Sequence, residues 1–206
     1  MNDSSERRWL LLIHQLPPKP DYFRVKIWRR LQRLGSVAIK NSVYVLPKND
    51  QTQEDFQWVL REIIEGGGEA SLCEARFVEG LSDDQVEALF HAARGAEYDQ
   101  IVEEARRLAE MPLPEGPVEE TRRTQLEVDL ARLKRRLAEV VAIDFFGAQG
   151  REAADGLVSG VEARMHNKRS GKEVGKATTT RPQHLDRKST RLNSSHSAKS
   201  RMPSSA

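Results

Sequence analysis

The chain has 206 residues, of which 38% are hydrophobic and 31% charged, with a mean hydropathy of -0.64; that suits one ordinary domain with a helical appendage, on the polar side of globular. No apolar run is long enough for a membrane span, no signal-peptide core follows the polar Met1–Arg8, and a single cysteine, Cys73, excludes an internal disulfide framework or a Cys-rich zinc site. The expectation is a cytoplasmic chain without a membrane segment, and its net charge of +2 with a pI near 8.7 invites a nucleic-acid partner.

The charge is unevenly placed. Lys19–Lys48 carries eight Lys/Arg and one acid, Asp50–Glu110 five Arg and sixteen acids, and the stretch from Arg164 onward eleven Lys/Arg and two acids. The last segment, Asp186–Ala206 (DRKSTRLNSSHSAKSRMPSSA), resembles the conceptual translation of a sequencing adapter. It has no apolar period and is expected to be disordered. Without its five Lys/Arg and one Asp the remaining chain carries about -2, so the global argument for nucleic acid fails and only local basicity carries weight. The natural reading frame is then expected to continue into a further domain.

In chain order, Trp9–Leu16 is a short apolar run ended by Pro17-Pro18 and reads as a buried strand. Asp21 is placed to cap a helix in which Phe23, Ile27, Leu31 and Leu34 share one face, and Gly35 ends it. Val37–Ile39 and Ser42–Leu46 are two short strands around Lys40-Asn41. A second helix opens at Thr52 or Gln53, buries Phe56, Val59, Leu60, Ile63 and Ile64, and breaks at Gly66-Gly67-Gly68. Ala70–Val78 alternates as a strand. Ser82-Asp83-Asp84-Gln85 is a capping box for a helix running to Glu110 with a weakness at Gly95. Pro112–Pro117 is a stiff linker. Glu119–Ala142 has a heptad-like seam at Leu126, Leu130, Leu133, Leu137 and Val140. A turn over Asp144–Gly150 leads to a last helix, Arg151–Met165.

The order β-α-β-β-α-β predicts an α+β fold, a ferredoxin-like (split βαβ) domain, followed by a C-terminal helical hairpin. The expected divisions are 8–111 for that domain with its trailing helix, 118–166 for the hairpin, 167–185 for a linker, and 186–206 for the adapter-like tail.

The strongest chemical signal is the first helix. Arg24, Lys26, Arg29, Arg30 and Arg33 crowd it, with Tyr22 and Trp28 interleaved and Lys40 nearby. Such cations repel one another, and phosphate would relieve the repulsion with release of counterions. The competing reading pairs them with Glu54, Asp55, Glu62 and Glu65 of the second helix. A second basic stretch, Arg122 to Arg136, has acids three or four residues away and reads as ordinary helix stabilisation, pairing Glu119 with Arg122 and Arg123, Asp129 with Arg132, and Glu139 with Arg135 and Arg136. His14 and Cys73 read as structural residues of strands. No catalytic set, metal-ligand spacing or cofactor motif is found.

Three segments together, WLLLIHQLPPKPDYFRVKIWRRLQRLG (Trp9–Gly35), NSVYVLP (Asn41–Pro47) and IDFFGAQGRE (Ile143–Glu152), resemble the N-terminal domain of the chromate-resistance regulator family ChrB. The resemblance implies a bacterial regulator, a repressor, that binds promoter DNA of a chromate-efflux operon and releases it when the chromate oxyanion is present. It also suggests a homodimer without a cofactor. The NSVYVLP strand resembles, in addition, the small CRISPR spacer-acquisition nucleases. Those carry a metal-binding aspartate at the end of the first strand, where this chain has Ile13-His14-Gln15, which argues against nuclease activity. Two alternatives stay open: a nuclease-like module, and an interaction or dimerisation module without DNA binding. The residues assigned to DNA or oxyanion contact are Arg24, Lys26, Arg29, Arg30, Arg33 and Lys40.

Overall fold

A computed structural model describes residues 9–112 and 120–176, with side chains described as far as Asn167. Most of the expected Pro112–Pro117 linker, and the adapter-like segment, lie outside the described residues. Everything from the first strand to Arg169 belongs to one compact unit. The elements are β1 (Trp9–Gln15), α1 (Asp21–Arg33), β2 (Val37–Lys40), β3 (Val43–Pro47), α2 (Asp50–Glu65), β4 (Glu69–Ala75), α3 (Asp83–Glu110), α4 (Glu120–Ala142) and α5 (Arg151–Lys176).

The four strands form one antiparallel sheet in the order β2-β3-β1-β4. The protein is therefore α+β, and β1, its most apolar strand, lies inside the sheet between β3 and β4. Opposed residues share a face: Leu10 faces Leu46 and Leu12 faces Tyr44 across the β1–β3 pair. The period of two then sends Trp9 and Leu11 to the opposite side. Phe23, Ile27 and Leu31 of α1 and Phe56, Val59 and Ile63 of α2 are buried in the same core as these strands. Trp9 instead meets α3. Its ring stacks on Phe90 at 6.0 Å, and its indole N–H donates to Asp83 Oδ1 at 2.7 Å.

Local boundaries differ from the sequence expectation where caps decide them. Asp21 is the first residue of α1 and makes no cap; Pro20 holds the cap position with no side-chain hydrogen bond. Asp21 still places negative charge at the positive end of the helix dipole. Helix α2 starts earlier than expected because Asn49 and Thr52 form a reciprocal capping box. The Ser82/Gln85 box at the start of α3 is present as expected. Gly95 does not interrupt α3, which runs unbroken through 28 residues. Strand β4 stops at Ala75 rather than Val78. Helix α5 continues beyond Met165 to Lys176; those polar residues need no apolar period to extend a helix already nucleated.

Glycine matters most at Gly35, the residue after the C-cap of α1. Its φ is +73°, and a Cβ there would lie 2.7 Å from the Ile143 Cβ and 3.1 Å from Arg94 Nη1. The turn therefore needs both the left-handed conformation and the missing side chain.

A second core joins the later part of α3 to α4 and α5. The seam residues Leu126, Leu130, Leu133, Leu137 and Val140 are all buried, and they share a cluster with Ile101, Ala105, Leu108, Ala154, Val158 and Val161. Helices α4 and α5 thus pack with α3 as a third member. The turn between α4 and α5 ties the two cores together. Phe145 and Phe146 lie edge-on to Phe90, at 6.0 and 5.2 Å. The Asp144 carboxylate accepts from the Tyr98 hydroxyl at 3.0 Å and from the Ala148 N–H at 2.9 Å. Burial, then this hydrogen bond, pushes the Tyr98 hydroxyl up to about 12. Arg94 is buried at this junction, 2% exposed, with Nε 3.1 Å from Glu97 Oε2. Burial raises the Glu97 pKa, opposed by the charges of Arg94 and Arg136.

Three cations of α4 reach across to other helices, while Arg123 pairs along α4 with Glu127 at 4.0 Å. Arg132 and Arg136 meet Glu104 of α3 at 3.0 and 3.5 Å, and Arg136 also donates to Gln100. Lys134 meets Glu162 of α5 at 2.7 Å. Of the pairs expected along α4 itself, Arg135 with Glu139 is present at 3.7 Å, whereas Arg132 turns to α3 because Glu104 packs beside it. Among the described residues, no helix is long and apolar enough to cross a membrane.

Candidate anion-binding surface of the first helix

Helix α1 buries Phe23, Ile27 and Leu31 and so turns every charged side chain outward. The cations do not form one ridge. A spacing of four residues keeps side chains in line along a helix, and the helix sorts them into three rows.

Lys26 and Arg30 form the row that faces α2. Lys26 Nζ lies 2.7 Å from Glu62 Oε1 and Arg30 Nη1 lies 3.3 Å from Glu62 Oε2. Of the four acids offered by the competing reading, Glu62 is the one that makes these ion pairs. The cations remain 58% and 41% exposed while Glu62 is only 16% exposed, so the pairing neutralises part of their charge without burying them.

Arg29 and Arg33 form the outward row. Both are exposed and share a surface groove with Tyr22, Val25 and Lys26, the last of which also reaches Glu62. Tyr22 is 72% and Val25 45% exposed. Among the described residues, no carboxylate stands within ion-pair distance of Arg29 or Arg33. Two unpaired guanidinium groups one turn apart beside an exposed aromatic ring make a surface suited to phosphate or another oxyanion.

Arg24 and Trp28 form the third row, on the side of α1 that meets the sheet. With His14 of β1, Tyr44 of β3, Asn41 and Ser42 they line a cleft of about 460 Å³. The His14 ring stacks on Tyr44 at 5.6 Å, and its backbone N–H donates to the Ser42 carbonyl at 2.9 Å. Both His14 ring nitrogens are shielded and have no hydrogen-bond partner. Burial lowers its pKa, which favours the neutral imidazole. Lys40, exposed at the end of β2, immediately precedes the Asn41-Ser42 pair of this cleft.

The six residues assigned from sequence therefore fall into separate surroundings. Lys26 and Arg30 are engaged by Glu62, Arg29 and Arg33 look out to solvent, Arg24 flanks the cleft, and Lys40 stands at its rim. Sequence reasoning missed the cleft, because it read His14 as a strand residue with satisfied polar atoms. The signal available was a histidine at the end of an apolar strand, shortly before a proline pair. Cys73 is half-buried, with its sulfur 3.8 Å from the Leu11 carbonyl, as a small packing residue would be. Among the described residues, no group of three or more His, Cys, Asp or Glu is placed to hold a metal ion.

A family model described as "Protein ChrB, N-terminal" matches residues 24–169. The chain belongs to that family. The matched span starts within α1 at Arg24, after β1, covers β2 to α4, and ends within α5. Protein ChrB of Cupriavidus metallidurans is 24% identical over 143 residues, which are 69% of this chain and 42% of that relative. The chain thus spans less than half of that ChrB protein's length. No solved structure matches. Membership of the ChrB N-terminal family agrees with the resemblance carried by the first-helix and DFFG segments.

Proposed function

We propose that this chain is the N-terminal, DNA-binding part of a chromate-responsive transcriptional regulator, a repressor of a chromate-resistance operon that acts in the cytoplasm as a homodimer. The observation that carries the reading is the outward row of α1. Arg29 and Arg33 stand exposed and unpaired beside Tyr22, on a helix anchored to the sheet by Phe23, Ile27 and Leu31. A rigid helix that presents guanidinium groups offers direct bonds to phosphate oxygens and releases counterions from the duplex. Lys26 and Arg30 contribute less, since Glu62 competes with phosphate for both. Lys40 is a further exposed cation at the end of β2, next to Asn41 of the cleft and outside the Arg29–Arg33 groove.

The strand order β2-β3-β1-β4 agrees with a split βαβ module, with α3, α4 and α5 as an appended helical layer. A homodimer would form through the sheet or through the α4–α5 hairpin, on which Val128 is 56% exposed. The reading as an enzyme that cleaves phosphodiesters finds no support at the end of β1. The cleft there is lined by His14 and Gln15 and by no carboxylate, whereas a divalent metal needs oxygen ligands.

The test is binding of the whole chain to the DNA upstream of its own reading frame, measured by fluorescence anisotropy with and without chromate. The proposal expects a shift with the upstream fragment that exceeds the shift with scrambled DNA of equal length, and its reversal by chromate. Equal binding to both DNAs, or none at low salt, overturns it.

A further inference from the structure

We propose that the cleft between α1 and the adjoining ends of β1 and β3 binds a small planar organic anion, with the Arg24 guanidinium on its charge and the exposed Trp28 ring against its flat face. This inference does not rest on DNA binding, because the cleft is lined by Arg24 and Trp28 and by neither Arg29 nor Arg33.

Four observations on the cleft agree. Its volume of about 460 Å³ is large enough to seat a small molecule at the surface. Its lining holds Arg24 and no acidic side chain, so its charge favours an anion, and Arg24 has no carboxylate partner among the described residues. Trp28 is 53% exposed, a large aromatic face left in water beside that cation, and flat rings recover such surface by stacking. His14, at the cleft, has two shielded ring nitrogens without a partner. Both nitrogens are closed to the cleft, so a ligand reaches them only if the His14–Tyr44 stack shifts, and their unmet bonds favour such a shift.

The same features set the shape of the ligand. A tetrahedral ion would use Arg24 but would leave the exposed Trp28 face unoccupied. A planar carboxylate uses both: two parallel bonds from the guanidinium to the carboxylate, with the ring portion laid on the aromatic wall. Asn41 and Ser42 supply neutral hydrogen-bonding groups at the rim, able to hold a ring substituent.

The experiment titrates benzoate, neutral benzamide and inorganic phosphate into the full chain without DNA, by calorimetry and by NMR of the His14 ring signals. The proposal expects saturable benzoate binding that moves the His14 signals, with benzamide and phosphate each at least about 10-fold weaker. Arg24→Gln is expected to weaken benzoate by at least about 10-fold with an unchanged melting temperature, since Arg24 is exposed. Trp28→Ala is expected to weaken benzoate and benzamide alike. Benzamide as tight as benzoate, phosphate as tight as benzoate, full affinity in Arg24→Gln, or no saturable binding up to about 10 mM would each overturn the assignment.

Discussion

His14 shows how much a single side chain can hide in a strand. Its ring is stacked on Tyr44 and its nitrogens are unpartnered, and burial holds its pKa below the usual 6.5. The unfolded chain then binds the proton more tightly than the folded one, so the stability contributed by the neutral ring is present above pH 6.5 and is lost as pH falls toward the lower, folded value. Urea unfolding at pH 5 to 7.5 is expected to show stability falling on acidification, and His14→Phe to remove part of that slope. An unchanged slope in the variant would contradict the burial argument. Gly35 makes a sharper demand. Its φ of +73° and the nearness of Ile143 and Arg94 leave no room for a Cβ. Gly35→Ala is expected to cost about 3 kcal/mol, from left-handed strain together with overpacking, read from the urea midpoint; a loss under about 1 kcal/mol would show that the turn can relax.

At the scale of elements, α1 is where sequence and structure agree and then part. Phe23, Ile27, Leu31 and Leu34 were legible as the inward face because helical periodicity is local. The capping box of α3 and the α4 seam were legible for the same reason. The fate of the cations was not, because it depends on how α1 and α2 lie beside one another across the sheet. Four acids of α2 and its end were available, and only the structure brings Glu62 against Lys26 and Arg30. The cleft was hidden likewise, since His14, Arg24 and Tyr44 come from three separate elements. The caps were half legible: the Ser82–Gln85 box stands as read, but the Asn49–Thr52 box was passed over and Pro20 holds the place that Asp21 was expected to take. The sorting of the cations has a consequence. Glu62→Gln is expected to lower stability by no more than about 1 kcal/mol, because both partners are largely exposed. It is also expected to tighten DNA binding at low salt, because Lys26 and Arg30 are released to phosphate. Unchanged DNA binding in this variant would place the Lys26–Arg30 flank outside the interface.

For the whole molecule, the decisive junction is the α4–α5 turn. Asp144, Phe145 and Phe146 sit between the sheet core and the three-helix core, bonded to Tyr98 and packed on Phe90. This is also the DFFG segment that helped to mark the family, so its place in the fold is structural: it fixes the helical layer to the sheet. Asp144→Ala removes the acceptor for the Tyr98 hydroxyl and the Ala148 N–H, at an expected cost of about 1–3 kcal/mol. Differential scanning calorimetry is expected to show one cooperative transition at a lower temperature. Separation into two transitions would mean that the cores unfold independently and that the turn alone had coupled them.

The account rests on the outward row of α1 touching phosphate. The salt dependence of DNA affinity measures it directly, since removing one phosphate-binding cation flattens the slope of log K against log salt by about 0.9. For Arg29→Ala/Arg33→Ala beside the unmodified chain, the expected result is weaker binding and a slope smaller by about 1.8, with the melting temperature unchanged. The same affinity and the same slope in the double variant would contradict it.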